Sequence, residues 1–343
     1  MRAAAQLLHR PRSAKDPAEI ARLSAGVQDQ DQHAGRLHFR ARHRTLTGAE
    51  VDRARTEERS LLRCWVMRKT VHLIASEDAA WLLPLYAERF EADARRRLGQ
   101  LGVDTRTQNC GLKLVEKALA DEGPLTREQL KERLVERNVV LDAGQSLHMV
   151  HLLTATGAAC FGPDSGRRIC LIRTEDWLGK QPPHDREQAL GELARRYFTA
   201  FGPATEDDFA YWSGLRVGEV RAGLGRVASE LAEIELDGAR AWQPKRRPRL
   251  PPAGQLRLLP RFDTYLLGYR SRAHALSRER EREINAGGGI IHAAIVQDGR
   301  VIGAWGWRLG AGRMEIELRP FERLSGDQRR EIDTEIADTM PRP

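Results

Sequence analysis

Two glutamines one residue apart, Gln28 and Gln30, lie in the stretch Val27-Gln28-Asp29-Gln30-Asp31-Gln32, between one helix expected to end at Gly26 and another expected to begin near Asp31. Side chains at i and i+2 do not share a face of a regular helix, so the two amides can converge on one target only where the backbone is a turn or a helix end. The flanking residues supply such a break. Asp16-Pro17 with Glu19 reads as an N-cap, a proline at N1 and a capping-box-like acid at N3. Gly26 suits a helix end, and Asp31 is a good N-cap for a helix over residues 33–42. Arg36, Arg40 and His43 form one stripe of that helix, with Ala34, Leu37 and Ala41 opposite. A polar amide pair is thereby presented at the start of a helix that can ride on a phosphate backbone. The same two residues also suit a plain solvated loop, and spacing alone leaves both readings open.

Other chemistry is harder to find. Cys64, Cys110, Cys160 and Cys170 show no CxxC pairing and no nearby histidine pair, so they read as small buried hydrophobes in a reducing compartment rather than as metal ligands. Ala286-Gly287-Gly288-Gly289 precedes a strand rather than a helix and fails the context of a phosphate loop. No metal and no cofactor are expected.

The chain has 343 residues, 41% hydrophobic and 30% charged, with a formal net charge of +8 and a pI of about 9.6. That length accommodates two or three domains with ample core. The charge suits a polyanionic partner, usually nucleic acid, although a general preference for arginine over lysine gives the same balance. No apolar run approaches a membrane span, and the apolar part of the N-terminal stretch is too short for a signal peptide. A cytoplasmic protein, nucleoid-associated in a bacterium, is expected.

In chain order, Thr47 and Glu50 form a capping box for a third helix. Leu61 to Met67 and Arg68 to Ile74 then read as a strand pair, so residues 1–75 read as a winged helix, with Arg68, Lys69, Thr70 and His72 on its hairpin. Residues 76–110 read as a spacer helix capped at Ser76-Glu77-Asp78. Residues 111–180 repeat the pattern, with Thr126 and Gln129 as a capping box and a turn at Gly162-Pro163-Asp164-Ser165-Gly166. The third helix of this unit carries His148, Met149 and His151 but no arginine, and is a poor base reader. Residues 181–243 repeat it again, with Thr205 as a cap and a hairpin turned at Asp237-Gly238. Residues 244–254 form a basic, proline-rich linker with Lys245, Arg246 and Arg247. Residues 255–343 read as a small β-barrel with a C-terminal helix; Leu256 to Leu259 and Thr264 to Leu267 are short apolar runs within it. The fold class is therefore α+β: three tandem winged-helix units followed by a C-terminal β-barrel.

Several phrases in order resemble the bacterial winged-helix DNA glycosylases of the AlkZ (azinomycin-resistance) and YcaQ group. They are Val27-Gln28-Asp29-Gln30, Trp65 through Leu73, Gly202-Pro203-Ala204-Thr205 with Asp208 through Leu215, Leu258 through Asp263, and Asp298 through Trp305. The resemblance spans nearly the whole chain. It implies three winged helices and a barrel curved around duplex DNA. It also implies a catalytic motif of glutamine, an apolar or small residue, then glutamine, matched by Gln28 and Gln30 with Asp29 as a departure in the middle.

The implied activity is monofunctional cleavage of the N-glycosidic bond of N7- or N3-alkylated purines, including bulky adducts and interstrand cross-links, in base excision repair and self-resistance to genotoxins. Such a purine already carries positive charge and leaves without a general acid. What remains is to hold a water in line and steady an oxocarbenium-like sugar, which two amide carbonyls can do by position and dipole. Gln28 and Gln30 would take those roles, and Asp29 could add electrostatic stabilisation. No lysine lies beside the motif to form the Schiff base a lyase needs. Arg36, Arg40, Arg68, Lys69, Thr70, His72, Lys245, Arg246 and Arg247 are the expected DNA-binding residues. The expected partner is double-stranded DNA carrying alkylated purines, met by a monomer. The alternative is a non-catalytic winged-helix DNA-binding protein, either a transcription regulator or a damage-binding paralogue.

Overall fold

The protein is described from a computed structural model covering residues 1–11, 16–166, 168–182, 184–246, 250, 252–310 and 313–339. Arg247 lies outside these described residues. The chain divides into two units: Met1–Val51 with Leu190–Pro343, and Asp52–Ala189.

In the continuous unit, Leu61–Val66 and Thr70–Ala75 pair antiparallel, with Leu61 opposite Ala75 and Val66 opposite Thr70. The long helix Ala79–Gln100 follows. Its entry differs from the expected cap: Asp78 makes no side-chain cap and instead accepts from the Trp81 indole Nε1–H at 3.0 Å. The next helix, Thr105–Glu122, begins ahead of residue 111 because Asp104 caps it, accepting from Thr107 N–H. Helices Arg127–Val135 and Ala143–Ala155 both start with capping boxes, Thr126 with Gln129 and Asp142 with Gln145. A three-stranded sheet places Arg168–Arg173 between Leu125–Thr126 and Ala159–Ser165. The Gly162–Gly166 segment is not all turn. Strand pairing continues to Ser165 through an irregularity between Phe161 and Asp164, where the carboxylate of Asp164 is held by Arg55. Val115, Leu119, Leu130, Leu134, Met149 and Leu153 fill the core between the helices. Cys110 departs from the expected buried cysteines, being exposed.

In the discontinuous unit, a second three-stranded sheet has Ala239–Pro244 between Ala204–Thr205 and Leu231–Leu236. Its turn residues Asp237 and Gly238 both have positive φ, 50° and 76°, as a two-residue hairpin of matching twist requires. Helices Glu206–Ser213 and Val217–Val227 precede it. A four-stranded antiparallel sheet follows in the order Leu256–Leu259, Ala294–Gln297, Arg300–Gly310, Arg313–Pro320.

Among the described residues this sheet does not close into the expected barrel. About eight strands enclose an interior that side chains just fill; four leave two open edges. Instead, Ile332 of the helix Gly326–Thr339 and Leu37 of the helix Gln32–Arg42 join Leu256, Leu258, Ile295 and Trp305 in one core. Thr264–Leu267, expected as a strand run, is a four-residue helix whose N-cap Asp263 accepts from Tyr265 N–H.

Candidate functional site

The helix Pro17–Leu23 opens with the Asp16 carboxylate accepting from Glu19 N–H at 2.8 Å. It closes with Ala25 N–H on Arg22 C=O and Gly26 N–H on Ala21 C=O, the paired bonds of a Schellman motif. The left-handed C′ position is taken by Ala25, at φ 55°, ahead of Gly26 at φ 93°. The chain then runs extended through Val27–Gln28. Asp31 accepts from His33 N–H at 3.0 Å and Ala34 N–H at 3.1 Å, which starts the helix Gln32–Arg42. The strand ends at Gln28, and Gln30 sits in the bend that leads to Asp31, so the glutamine pair lies at a break between two helices rather than on a helix face.

Burial divides the motif. Gln28 and Asp29 are 6% and 3% exposed, whereas Gln30 is exposed. Asp29 is turned onto the following helix: a Cβ placed on Gly35 would lie 2.0 Å from its Oδ1. Glycine at position 35 is therefore what lets the Asp29 carboxylate lie against the helix backbone. His33, at the first turn, stacks at a tilt on Trp307, ring centroids 4.8 Å apart. Burial, and next Arg36, lower its pKa against the opposing pull of Asp31. Trp307, which packs on His33 at the start of this helix, was not among the expected site residues, since the sheet that carries it is remote in sequence.

The far end of the same helix is fixed by a buried polar network. Arg42 donates from Nη1 to Asp263 Oδ2 and from Nη2 to Asp263 Oδ1, each at 2.9 Å. His38 Nδ1 is 3.3 Å from Asp263 Oδ2. The Thr264 hydroxyl donates to Gln6 Oε1 at 2.7 Å, and Gln6 Nε2 donates to Ala200 C=O at 2.8 Å. Burial alone would raise the Asp263 pKa, but Arg42 and His38 outweigh it and hold it below the ordinary carboxylate value. The helix behind the glutamines is thus locked by groups from three separate stretches of sequence.

The remaining expected residues fall in two places. In the discontinuous unit, Arg36 and Arg40 are half-buried on the basic helix. The Arg36 stem lies against Gly48, and Arg40 donates to Leu46 C=O at 3.4 Å. Lys245 and Arg246 are exposed. In the continuous unit, Arg68, Lys69 and Thr70 are half-buried at the tip of the first hairpin, whose turn carries Met67 and Lys69 at φ 52° and 62°. His72 is 3% exposed, its Nδ1 is 3.0 Å from Thr70 C=O, and burial depresses its pKa to about 4. Covered and uncharged at neutral pH, it does not suit the expected phosphate contact.

A family model described as DNA glycosylase AlkZ-like matches residues 20–341. The chain is 26% identical over 324 residues to the interstrand DNA cross-link repair glycosylase of Streptomyces sahachiroi, covering 86% of this chain and 83% of that protein. The solved structure of the Streptomyces sahachiroi DNA glycosylase AlkZ superposes with a TM-score of 0.79 at 25% identity, over 98% of this chain and 93% of that one.

Proposed function

The chain belongs to the AlkZ-like DNA glycosylase family and is a DNA glycosylase, and from that premise we propose that it hydrolyses the N-glycosidic bond of purines alkylated at N7 or N3, bulky adducts and interstrand cross-links among them. The observation that carries this reading is the glutamine pair at a strand end and bend, with Gln28 buried and Gln30 exposed, set between two capped helices. An alkylated purine leaves with its charge neutralised, so the protein needs no strong acid. It needs a fixed water and a dipole facing the sugar as positive charge develops there.

In this proposal Gln28 and Gln30 orient the water and the deoxyribose, and Asp29 adds negative potential from its place against Gly35. The three helix-and-hairpin segments act as winged helices along the duplex. Arg36, Arg40, Arg68, Lys69, Thr70, Lys245 and Arg246 supply the phosphate contacts. The relative's activity on interstrand cross-links supports including such lesions in the substrate range, and the enzyme works as a monomer without lyase chemistry.

The test is release of free base from duplexes carrying N7-methylguanine or a bulky N7 cross-link, with the wild type beside Gln28→Ala and Gln30→Ala. Release by the wild type, lost in both variants with DNA affinity retained, supports the proposal. Tight binding of undamaged DNA with no release from any lesion returns the chain to a binding role.

A further inference from the structure

The continuous unit contains a cavity of about 170 Å³ outside the glutamine segment. It lies where the first hairpin, the long helix Ala79–Gln100, the end of the helix Ala143–Ala155 and the strand Ala159–Ser165 meet. Rings make up much of its wall. Trp65 meets His151 edge-on at 4.4 Å and Phe161 at a tilt at 4.7 Å, and Phe90 closes another side. Trp65 and Phe161 pack on the core of this unit yet stay half-buried, so two large aromatic side chains keep apolar surface uncovered.

The wall offers an entering charge no partner. Cys64 and Cys160 line it with thiols that burial keeps protonated, the Cys160 pKa rising to about 12. Burial first, and Lys69 next, push the His151 pKa down to about 4, so its imidazole is uncharged at neutral pH. The two cations at the wall are already answered. The Lys69 ammonium, 5.9 Å from the Phe90 centroid, keeps its charge with the help of Asp93. The Arg63 guanidinium, 5.3 Å from the Phe161 centroid, is not a free charge either. An ion drawn in here would lose its water and gain little in return.

We propose that this cavity is a binding site for one small, uncharged aromatic molecule, no larger than an indole, held against Trp65 and Phe161. Size supports a single ring system: an apolar cavity of about 150 Å³ is enough for benzene, whereas drug-sized ligands fill roughly 300–1,000 Å³. Aromatic walls favour a flat ring over an aliphatic one of equal bulk, through edge-on and offset contacts with centroids about 4.5–7 Å apart. The two thiols are small apolar neighbours that demand no strong hydrogen bond from the guest. Because the wall is drawn from both hairpins and both helices, an occupant ties them together, and by mass action it stabilises the folded unit. The site makes no use of the glutamines and does not depend on the glycosylase reading.

The experiment uses the full chain, titrated with para-fluorophenol and followed by fluorine NMR, with phenol, cyclohexanol and benzoate as competitors. The expected result is saturable binding that phenol displaces about two- to tenfold more effectively than cyclohexanol, while benzoate displaces little. The melting temperature should rise with para-fluorophenol concentration. Trp65→Leu removes a wall ring, and Ala87→Phe, at a half-buried lining position, sets a ring of the chain's own where the guest would lie. Both should abolish the binding and the rise in melting temperature, with base release in the absence of the phenol unchanged. If Trp65→Leu melts early, Ala87→Phe and the competition series on the wild type decide. No saturable binding by the wild type, cyclohexanol or benzoate as effective as phenol, or binding undiminished in either folded variant overturns the proposal. Base release by the wild type and its loss in the glutamine variants are read separately, so either idea can fail alone.

Discussion

Arg42 and Asp263 form a two-pronged ion pair, both bonds 2.9 Å and both side chains fully covered. Removing one partner of such a pair strands the other charge, at a cost of about 3–5 kcal/mol. Arg42→Met and Asp263→Leu should each lower the urea midpoint of unfolding by that equivalent. The double variant should recover most of the loss, because well-packed apolar groups avoid the desolvation altogether. A double variant as unstable as the sum of the singles would contradict this.

Acid should weaken the protein in two stages. His72 has a folded pKa of about 4 against about 6.5 in the unfolded chain. Protons therefore bind the unfolded state first, and stability present above pH 6.5 falls as the pH drops toward 4, by about 2–4 kcal/mol. Asp263, whose folded pKa lies below its unfolded value, acts later: its contribution is present above the ordinary carboxylate pKa and is lost as pH falls through the folded value. Unfolding midpoints between pH 8 and pH 3 should show the first stage reduced in His72→Asn but not abolished, because burial also depresses His151 to about 4 and His274 to about 3, and the second stage reduced in Asp263→Asn.

The contact between Gly35 and Asp29 predicts a rescue. Gly35→Ala puts a methyl carbon where the Asp29 carboxylate lies and should reduce both stability and base release. Adding Asp29→Ala should restore stability, with a coupling of about 0.5–3 kcal/mol. If release returns together with stability, Asp29 serves only to pack the segment. If stability returns without release, its carboxylate contributes to the reaction.

Phosphate contacts are counted by salt. Each contact on duplex DNA changes the slope of log K against log salt by about 0.9. Lys245→Gln with Arg246→Gln should flatten the slope by up to twice that amount, while His72→Asn should leave it unchanged. Affinity titrations between 50 and 200 mM salt on one undamaged duplex measure both.

Relief of backbone strain gives a stabilising variant beside the site. Ala25 holds the left-handed C′ position at φ 55°, where glycine is at ease. Ala25→Gly should raise stability by about 0.5–1 kcal/mol, a small upward shift of the melting temperature.

What could be read from the sequence was mostly local chemistry. The caps at Asp16, Asp31, Thr126 with Gln129 and Thr205 each involve residues three apart or fewer, and the structure has all of them. The Asp237-Gly238 turn is likewise a two-residue decision. Thr264–Leu267 was misread because four apolar-leaning residues suit a strand or a helical turn equally. Asp263 settles the matter by capping, and its other duty is to Arg42, 221 residues away. The need for Gly35 depends on where Asp29 turns, and the place of Trp307 depends on a sheet built late in the chain. His72 reads as an exposed strand residue by alternation, yet its strand is buried from Val71 to Ala75. Pairing alone, without knowing what lies above each face, could not reveal that.

The unit holding the glutamines is made of two stretches that flank the other unit, Met1–Val51 and Leu190–Pro343. A ribosome therefore delivers the motif early and its support late. The Gln28 segment leaves the tunnel long before Asp263 exists to grip Arg42, and Glu335, which clamps Arg10, is later still. The intervening unit has its whole sequence in hand first. A nascent or prematurely stopped chain thus carries the glutamine pair without the Asp263 and Glu335 carboxylates that grip Arg42 and Arg10.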